Sequence, residues 1–437
     1  MIKTIGIRRE DKNEWERRAP LIPGDIKELK EKYGIKTIIQ PSKIRIFPDS
    51  EYEKAGAEVK EDLSEASVVL AVKEIPIQLF QPGKTYVFFS HTVKGQAYNM
   101  PMLKHMVDLK CNLIDYERVV DEKNQRLIFF GYYAGLAGMI ETLHAYGQKL
   151  KLLGYQTPLE KIKQAYQYNT LEEAKQDIEK IGEEINDVGL PTELSPLVVG
   201  FAGYGNVSRG AQEIFNLLPH KVISAHILGE MYENFSPDVY NFYKVVFNEE
   251  DMVKTVDPEA RFSLQDYYDH PAKYVSRFEN YLPYLNILLN GIFWTPAYPR
   301  LVTKEYLKNQ SILSSHLTLK VIGDISCDID GGVEITHMAT KPDNPNFTYL
   351  PLEDRFEPGI RQNGVTVMAV DNLPCEFSLE SSKGFSSVLK NFVPDMVSEN
   401  FNRDFEKLSL PDPIRKALVL HKGEFPPSYR YMKEYLK

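Results

Sequence analysis

Residues 195–218, SPLVVGFAGYGNVSRGAQEIFNLL, decide how this chain is read. An apolar run ends at Gly203, a second glycine follows at Gly205, and a helical stretch begins directly after. Two glycines in that spacing let a strand-to-helix turn close tightly. They also let a pyrophosphate approach the backbone N–H groups at the start of the helix. The usual third glycine is replaced by Ser208, whose side chain is small enough for close helix–strand packing. The strand–turn–helix context predicts a dinucleotide site. About twenty residues further on, an acid is expected at the end of the next strand to hold the ribose 2′-hydroxyl. The stretch KVISAH offers His226 instead. With no carboxylate there to repel a 2′-phosphate, the expectation is NADP(H), with NAD(H) as the alternative.

The chain has 437 residues, enough for two or three domains. Hydrophobic residues make up 43% and charged residues 26%, the balance of a globular protein with large cores. A net charge of −9 excludes a basic nucleic-acid footprint. No apolar run approaches the roughly 18 residues of a membrane span. The opening IKTIGIRRE reads as a strand rather than a signal or transit peptide, so a cytoplasmic location is expected. Cys111, Cys327 and Cys375 lie far apart, which supports neither a disulfide framework nor a zinc ribbon. Asp324, Asp328 and Asp330 in GDISCDIDGG lack the spacing of an EF-hand loop, and no metal is expected.

Either side of the glycine turn, short apolar runs alternate with helical stretches. KTIGI, IKTIIQP, SVVLAVKE, KTYVFFSH and CNLIDYE read as strands, and PGDIKELKEKYG as a helix ending at Gly34. Residues 135–153 and LEEAKQDIEKIGEEI read as amphipathic helices. YLNILLNGIFW and LKVIGDIS continue the second unit after an aromatic-rich insertion at about 228–280. Such alternation implies parallel sheets with helices outside. The expected fold is therefore α/β, with two Rossmann-like, doubly wound parallel-sheet domains and a cleft between them. Residues 1–134 and 341–437 would form a substrate-binding, catalytic domain, and 135–340 the NAD(P)-binding domain.

Two strands of the first domain end in unusual chemistry. SVVLAVKEIP, residues 67–76, delivers Lys73 and Glu74, and VFFSHTVK delivers His91 and Lys94. If the two strands are parallel neighbours, Lys73 and His91 face one crevice. A partly desolvated lysine and a histidine can move protons near pH 7. Arg17, Arg18 and Arg126 add cations near other strand ends, which suits a substrate with more than one carboxylate. Asp324 is expected at a strand end near the nicotinamide.

The stretches ERRAPL, AVKEIP, TYVFFSHTVK, LIDYERVVD, FGYYAGLAGMI, GNVSRGAQEIFN, RFENYLPYLNILLNGIFW, DISCDIDGGVE and DNLP run in order through almost the whole chain. In these the chain resembles the lysine-ketoglutarate reductase half of the bifunctional aminoadipic semialdehyde synthases. It is similar, more distantly, to the lysine-forming saccharopine dehydrogenases and the alanine dehydrogenase/transhydrogenase group. The resemblance implies reductive condensation of L-lysine with 2-oxoglutarate and NADPH to saccharopine, or the reverse oxidation. It implies Lys73 and His91 as the acid–base pair, and Arg18, Lys94, Arg126 and Phe130 as contacts to saccharopine. Gly205, Asn206, His226, Ile292, Phe293, Asp324, Ile325, Ser326 and Cys327 would contact the nucleotide, with Gly203 and Val207 of the same turn. The bifunctional proteins carry a saccharopine dehydrogenase domain after this one. Here the chain stops at Lys437, so reductase activity alone is expected, with a separate polypeptide for the following step. A homo-oligomer is compatible with this reading. Two competing readings stand beside it: an alanine or opine-type dehydrogenase on the same scaffold, and a nucleotide-binding module without chemistry.

Overall fold

TIGI, KTII and VVL are short runs with almost every residue buried, the pattern of strands covered on both faces. They become β1 (Thr4–Ile7), β2 (Lys36–Ile39) and β4 (Val68–Leu70), joined by β3 (Glu58–Val59), β5 (Thr85–Phe88) and β6 (Asn112–Asp115). These six pair in parallel in the order β6-β5-β4-β1-β2-β3. The strand Leu418–Leu420, from the far end of the chain, adds antiparallel to β6 as the seventh. The helix Pro23–Tyr33 starts on a proline and stops at Gly34, whose φ of 64° ends it in the left-handed region.

The second sheet has eight strands. They are β7 (Val198–Ala202), β8 (His220–Val222), β9 (Phe242–Phe247), β12 (Ile287–Asn290), β13 (Val321–Asp324), β14 (Asn346–Leu350), β15 (Arg355–Pro358) and β16 (Val365–Met368). A separate antiparallel ribbon holds β10 (Val253–Thr255) and β11 (Tyr274–Ser276). The sheet order is β15-β14-β16-β13-β12-β7-β9-β8, parallel from β16 to β8. The buried helix Gly131–Leu152 and the helix Leu171–Val188, capped by the Thr170 hydroxyl, flank this unit.

This computed structural model describes residues 3–233, 236–314 and 317–436. It divides into two compact units, Met1–Phe130 with Ser378–Lys437, and Gly131–Phe377. The division after residue 340 expected from the sequence is corrected by this: the chain returns to the first unit only at Ser378. The reason is hydrogen bonding in the sheet. β16 pairs with β13, and β14 and β15 follow outward, so residues 341–377 extend the second sheet. The return is then anchored by serines of the helix Ser378–Leu389. Ser382 Oγ accepts the Ala19 N–H at 2.9 Å, and Ser386 Oγ accepts that of Ile22 at 3.0 Å.

The expected insertion at 228–280 is also corrected, with Asn234 and Phe235 outside the described residues. It contains β9, an inner strand of the sheet, and β9 rather than β8 lies beside β7. β9 is mostly buried, whereas β8 is mostly exposed. The more apolar FYKVVF therefore takes the inner place and HKV the edge. Among the described residues no helix is long and apolar enough to cross a membrane.

Candidate active site

In the first unit, β4 and β5 are parallel neighbours, Val68 opposite Thr85 and Leu70 opposite Val87. The segments that follow them, with Lys73–Glu74 and His91, leave the same edge of the sheet. Glu10, just past β1, shapes the end of β4. Its carboxylate accepts the N–H of Val72 at 2.7 Å and of Lys73 at 3.0 Å. Burial pushes the Glu10 carboxyl up to about 7, the Glu16 charge adding to this against those two hydrogen bonds.

Glu74 turns to the histidine. Its Oε1 lies 2.6 Å from His91 Nδ1, and its Oε2 3.2 Å from Lys12 Nζ. Burial opposes ionisation of Glu74. The His91 hydrogen bond and charge, with Lys12, outweigh it and hold the carboxyl down at about 2. His91 itself has a φ of 49°, the left-handed region that a side chain beyond glycine adopts only when its surroundings enforce it. The enforcing contacts are visible. Asn99 Nδ2 donates to the carbonyls of Ser90 and His91, at 2.9 and 3.3 Å. The Ser90 hydroxyl donates to Asp115, which ends β6. Burial and then the Glu117 charge push the Asp115 carboxyl up to about 6.

Arg18 is buried and gripped twice by Glu16, Nε to Oε1 at 2.7 Å and Nη2 to Oε2 at 2.6 Å. Its guanidinium lies 4.2 Å from the Phe130 ring centroid. Phe130 stacks on Phe385 at 4.7 Å, and Phe89 bridges Phe130 and the His91 ring. The structure thus brings Arg18, Phe130 and His91 to one aromatic-lined edge, with the Lys73 backbone held from beneath. Lys94 is exposed three residues past His91. Arg126 is half-exposed, 3.9 Å from Glu117 beyond β6. Arg8, directly after β1, was not singled out from the sequence. It is buried, and its Nε and Nη1 meet no hydrogen-bond partner among the described residues. The doublet Arg8-Arg9 signalled positive charge, but nothing local marked Arg8 as the buried one.

In the second unit the glycine turn closes as expected. Gly203 has a φ of 90°, and a Cβ there would sit 3.0 Å from Ile292 Cγ2. A Cβ on Gly205 would meet nothing within 4 Å, which leaves open space over the first turn of the helix Asn206–Phe215. That cradle fits a pyrophosphate. Ser208 is buried, and its hydroxyl is met by Gln212 Nε2 at 2.9 Å. Two glycines outside the motif let the helix Gly131–Leu152 cross this helix at backbone contact. A Cβ on Gly135 would fall 1.9 Å from the Val207 carbonyl oxygen, and one on Gly210 2.1 Å from that of Tyr132.

The loops after β12 and β13 are tied together beside the turn. Asp324 accepts Asn290 Nδ2 at 2.8 Å and the Cys327 N–H at 3.1 Å, and the Thr336 hydroxyl at 2.5 Å. Ser326 Oγ donates to the Ile292 carbonyl at 2.6 Å. Burial pushes the Asp324 carboxyl up to about 6 and raises the Cys327 thiol. Asp324 therefore organises the loop from within. Ile325 packs against Gly138, while Phe293 is exposed. His226 departs from its expected position. It lies exposed in the turn Ala225–Ile227, beyond the outermost strand β8. The residues that end the strand beside β7 are Phe247 and its successors, because Gly203 N–H donates to the Phe247 carbonyl at 3.1 Å.

Residues 6–137 match the family model "Alanine dehydrogenase/PNT, N-terminal domain". A solved L-alanine dehydrogenase shares the fold of the chain, with a TM-score of 0.60 at 17% identity over 99% of this chain and 100% of that one. The class of protein is thus the two-unit α/β scaffold of that group. Within it, the likeness read from the motifs holds. The chain is a relative of the alpha-aminoadipic semialdehyde synthases, 38% identical to that of Arabidopsis thaliana over 98% of its own length and 41% of the relative's. It is also 31% identical, over 34% of its length and 41% of the relative's, to the saccharopine dehydrogenase [NAD(+), L-lysine-forming] of Neurospora crassa. The chain spans less than half the length of the plant and bovine aminoadipic semialdehyde synthases it matches.

Proposed function

We propose that this chain is an oxidoreductase of lysine metabolism that joins L-lysine and 2-oxoglutarate into saccharopine, or runs the reverse oxidation. The observation that carries the reading is the pair of segments leaving the parallel neighbours β4 and β5, one with Lys73 and one with His91 held at 2.6 Å by Glu74. The lysine ε-amine attacks the keto carbon of 2-oxoglutarate, a carbinolamine forms, and water leaves to give an imine. Each step moves a proton. With Nδ1 committed to Glu74, His91 is left with Nε2 for such transfers, and the Lys73 ammonium is the second carrier. Glu74 fixes the ring orientation, as a carboxylate beside a working imidazole does. Arg8, with two open donors, Arg18 and Arg126 hold carboxylates. A nicotinamide dinucleotide in the glycine cradle of the second unit supplies or accepts the hydride.

The test is a nucleotide-oxidation assay with a matrix of amino acids against 2-oxo acids, using NADH and NADPH in parallel. Turnover is expected with lysine and 2-oxoglutarate, and its loss in Lys73→Met and His91→Gln. Equal turnover with pyruvate and ammonia moves the assignment to an alanine dehydrogenase. Nucleotide binding without turnover on any pair makes the chain a binding module.

A further inference from the structure

We propose that a cavity on the opposite edge of the second sheet from the glycine turn binds an aliphatic carboxylate, with its head group on Lys320 and its chain along Leu350, Pro351 and Leu352. The cavity has a volume of about 400 Å³, within the range of small-ligand sites. Its place follows from the strand directions. The glycine turn follows β7 and Asp324 ends β13, whereas Lys320 precedes β13 and Gly364 precedes β16. β14, running antiparallel to β16, ends on that same side at Leu350. Leu153, just past the helix Gly131–Leu152, completes the apolar wall. The site lies wholly within the second unit and stands apart from the dinucleotide reading.

Two ammonium groups set the charge of this cavity. Lys149 is fully buried behind the wall and donates to the carbonyls of Gly364 at 3.0 Å, Asn363 at 3.3 Å and Arg361. Half-buried Lys320 lines the cavity itself and donates to the Leu317 carbonyl. Among the described residues neither ammonium meets a carboxylate. Burial lowers Lys320, and burial followed by the Lys320 charge brings Lys149 down to about 7. Glu353, the acid on the rim, is turned to Arg355. A cleft with one sign of charge and apolar walls concentrates guests of the opposite sign. The walls also decide what kind of anion fits. Leu352 is 59% exposed, and Ile312 and Leu313, which follow the lining residue Ser311, are 66% and 79% exposed. Large apolar side chains grouped beside a cavity mark a binding surface. A small inorganic anion would leave them uncovered, whereas an aliphatic chain covers them while its carboxylate meets Lys320.

The test is calorimetric titration of the whole chain at neutral pH with sodium octanoate, with octanol and with inorganic phosphate. Octanoate should saturate a single site and bind at least about tenfold more tightly than either, because octanol lacks the charge and phosphate lacks the chain. Lys320→Met, which keeps an apolar stem, should weaken octanoate at least about tenfold and leave octanol unchanged. Leu352→Glu changes an exposed side chain, which the fold tolerates, and should weaken octanoate to a similar degree. Octanol binding as tight as octanoate overturns the role of Lys320. Phosphate binding as tight as octanoate makes this a simple anion site and overturns the aliphatic guest. No binding of octanoate, or binding unchanged in both variants, removes the site. None of these outcomes depends on turnover with lysine and 2-oxoglutarate, so the two readings fail separately.

Discussion

Replacing Glu74 by glutamine separates charge from shape at the point where β4 and β5 deliver their side chains. The Glu74 carboxyl is held at about 2 against an ordinary 4.5. Roughly 2.5 units correspond to about 3 kcal/mol favouring the ionised form in the folded protein. Lys12 is half-exposed, so its share is at most about 1 kcal/mol and most of the effect belongs to His91. The sign follows from the depressed value. The stabilisation is fully present above pH 4.5 and is lost as the pH falls toward 2. An amide keeps a hydrogen bond to Nδ1 but not the charge. Glu74→Gln should therefore lose about 1–2 kcal/mol of stability at pH 7, and the gap to the unaltered chain should close as the pH falls to about 2. Turnover should fall by about 100-fold, within the range of a lost acid–base arrangement, with nucleotide affinity unchanged. Denaturant unfolding at both pH values and steady-state kinetics measure this. Turnover within twofold of the unaltered chain would refute Glu74 as the residue that orients His91. A stability gap as wide at pH 2 as at pH 7 would refute the electrostatic account.

Glu141 and Glu376 are buried in the second unit, and burial raises both carboxyls, Glu141 to about 7 and Glu376 well above the ordinary carboxylate range, with Glu141 opposing its charge. Stability should be complete below pH 4.5 and decline as the pH rises through about 7, and Glu376→Gln should raise the melting temperature at pH 8 and flatten that decline. Gly135→Ala should lower the melting temperature by the equivalent of about 1–3 kcal/mol, because its Cβ would fall 1.9 Å from the Val207 carbonyl oxygen. Gly205→Ala, with nothing within 4 Å of its Cβ, should leave the melting temperature unchanged and weaken dinucleotide binding in a titration. Arg8→Met should stabilise the chain without substrate, by about 1–3 kcal/mol, yet raise KM for the 2-oxo acid at least tenfold. Destabilisation with an unchanged KM would make Arg8 a structural partner of Asp11 alone.

What could be read from the sequence followed from periodicity and turn chemistry. Strands covered on both faces leave unbroken apolar runs, so β1, β2, β4, β5, β7, β12 and β13 were visible without coordinates. The glycine turn was visible because φ above zero and an open Cβ position both demand glycine. Lys73 and His91 stood out because charge interrupts an apolar run. Sheet order was not legible, because β8 and β9 are both strand-like and their places are settled by burial against the rest of the sheet. The expectation that His226 ends the strand beside β7 has this single origin. The boundary at residue 340 failed for a related reason. β14 to β16 attach to β13 through backbone hydrogen bonds that leave no sequence signature. Glu10, Glu16 and Asp115 were equally hidden, since a charged residue near a strand end normally faces solvent and burial marks these only in three dimensions.

The buried charges at the edge of the first unit are unequal, and the inequality carries meaning. Arg18 is matched by Glu16, and His91 by Glu74. Among the described residues Arg8 has a single ion pair, to half-exposed Asp11, and leaves two guanidinium nitrogens buried without an acceptor. An unmet buried donor costs about 1–3 kcal/mol, more where it is charged, and the fold would avoid that cost by placing a hydrophobic side chain there. Local rules of stability are broken mainly where a ligand restores the balance. A carboxylate presents two acceptors in the plane that a guanidinium offers. The same edge also holds Glu10, whose raised carboxyl reduces the negative charge that would repel such a ligand. Cationic donors left open beside acids that resist ionisation form a surface biased toward a polyanionic guest. Under the proposed function, that bias, more than the number of arginines, is the reason to expect a product with three carboxylates here rather than a small neutral amino acid.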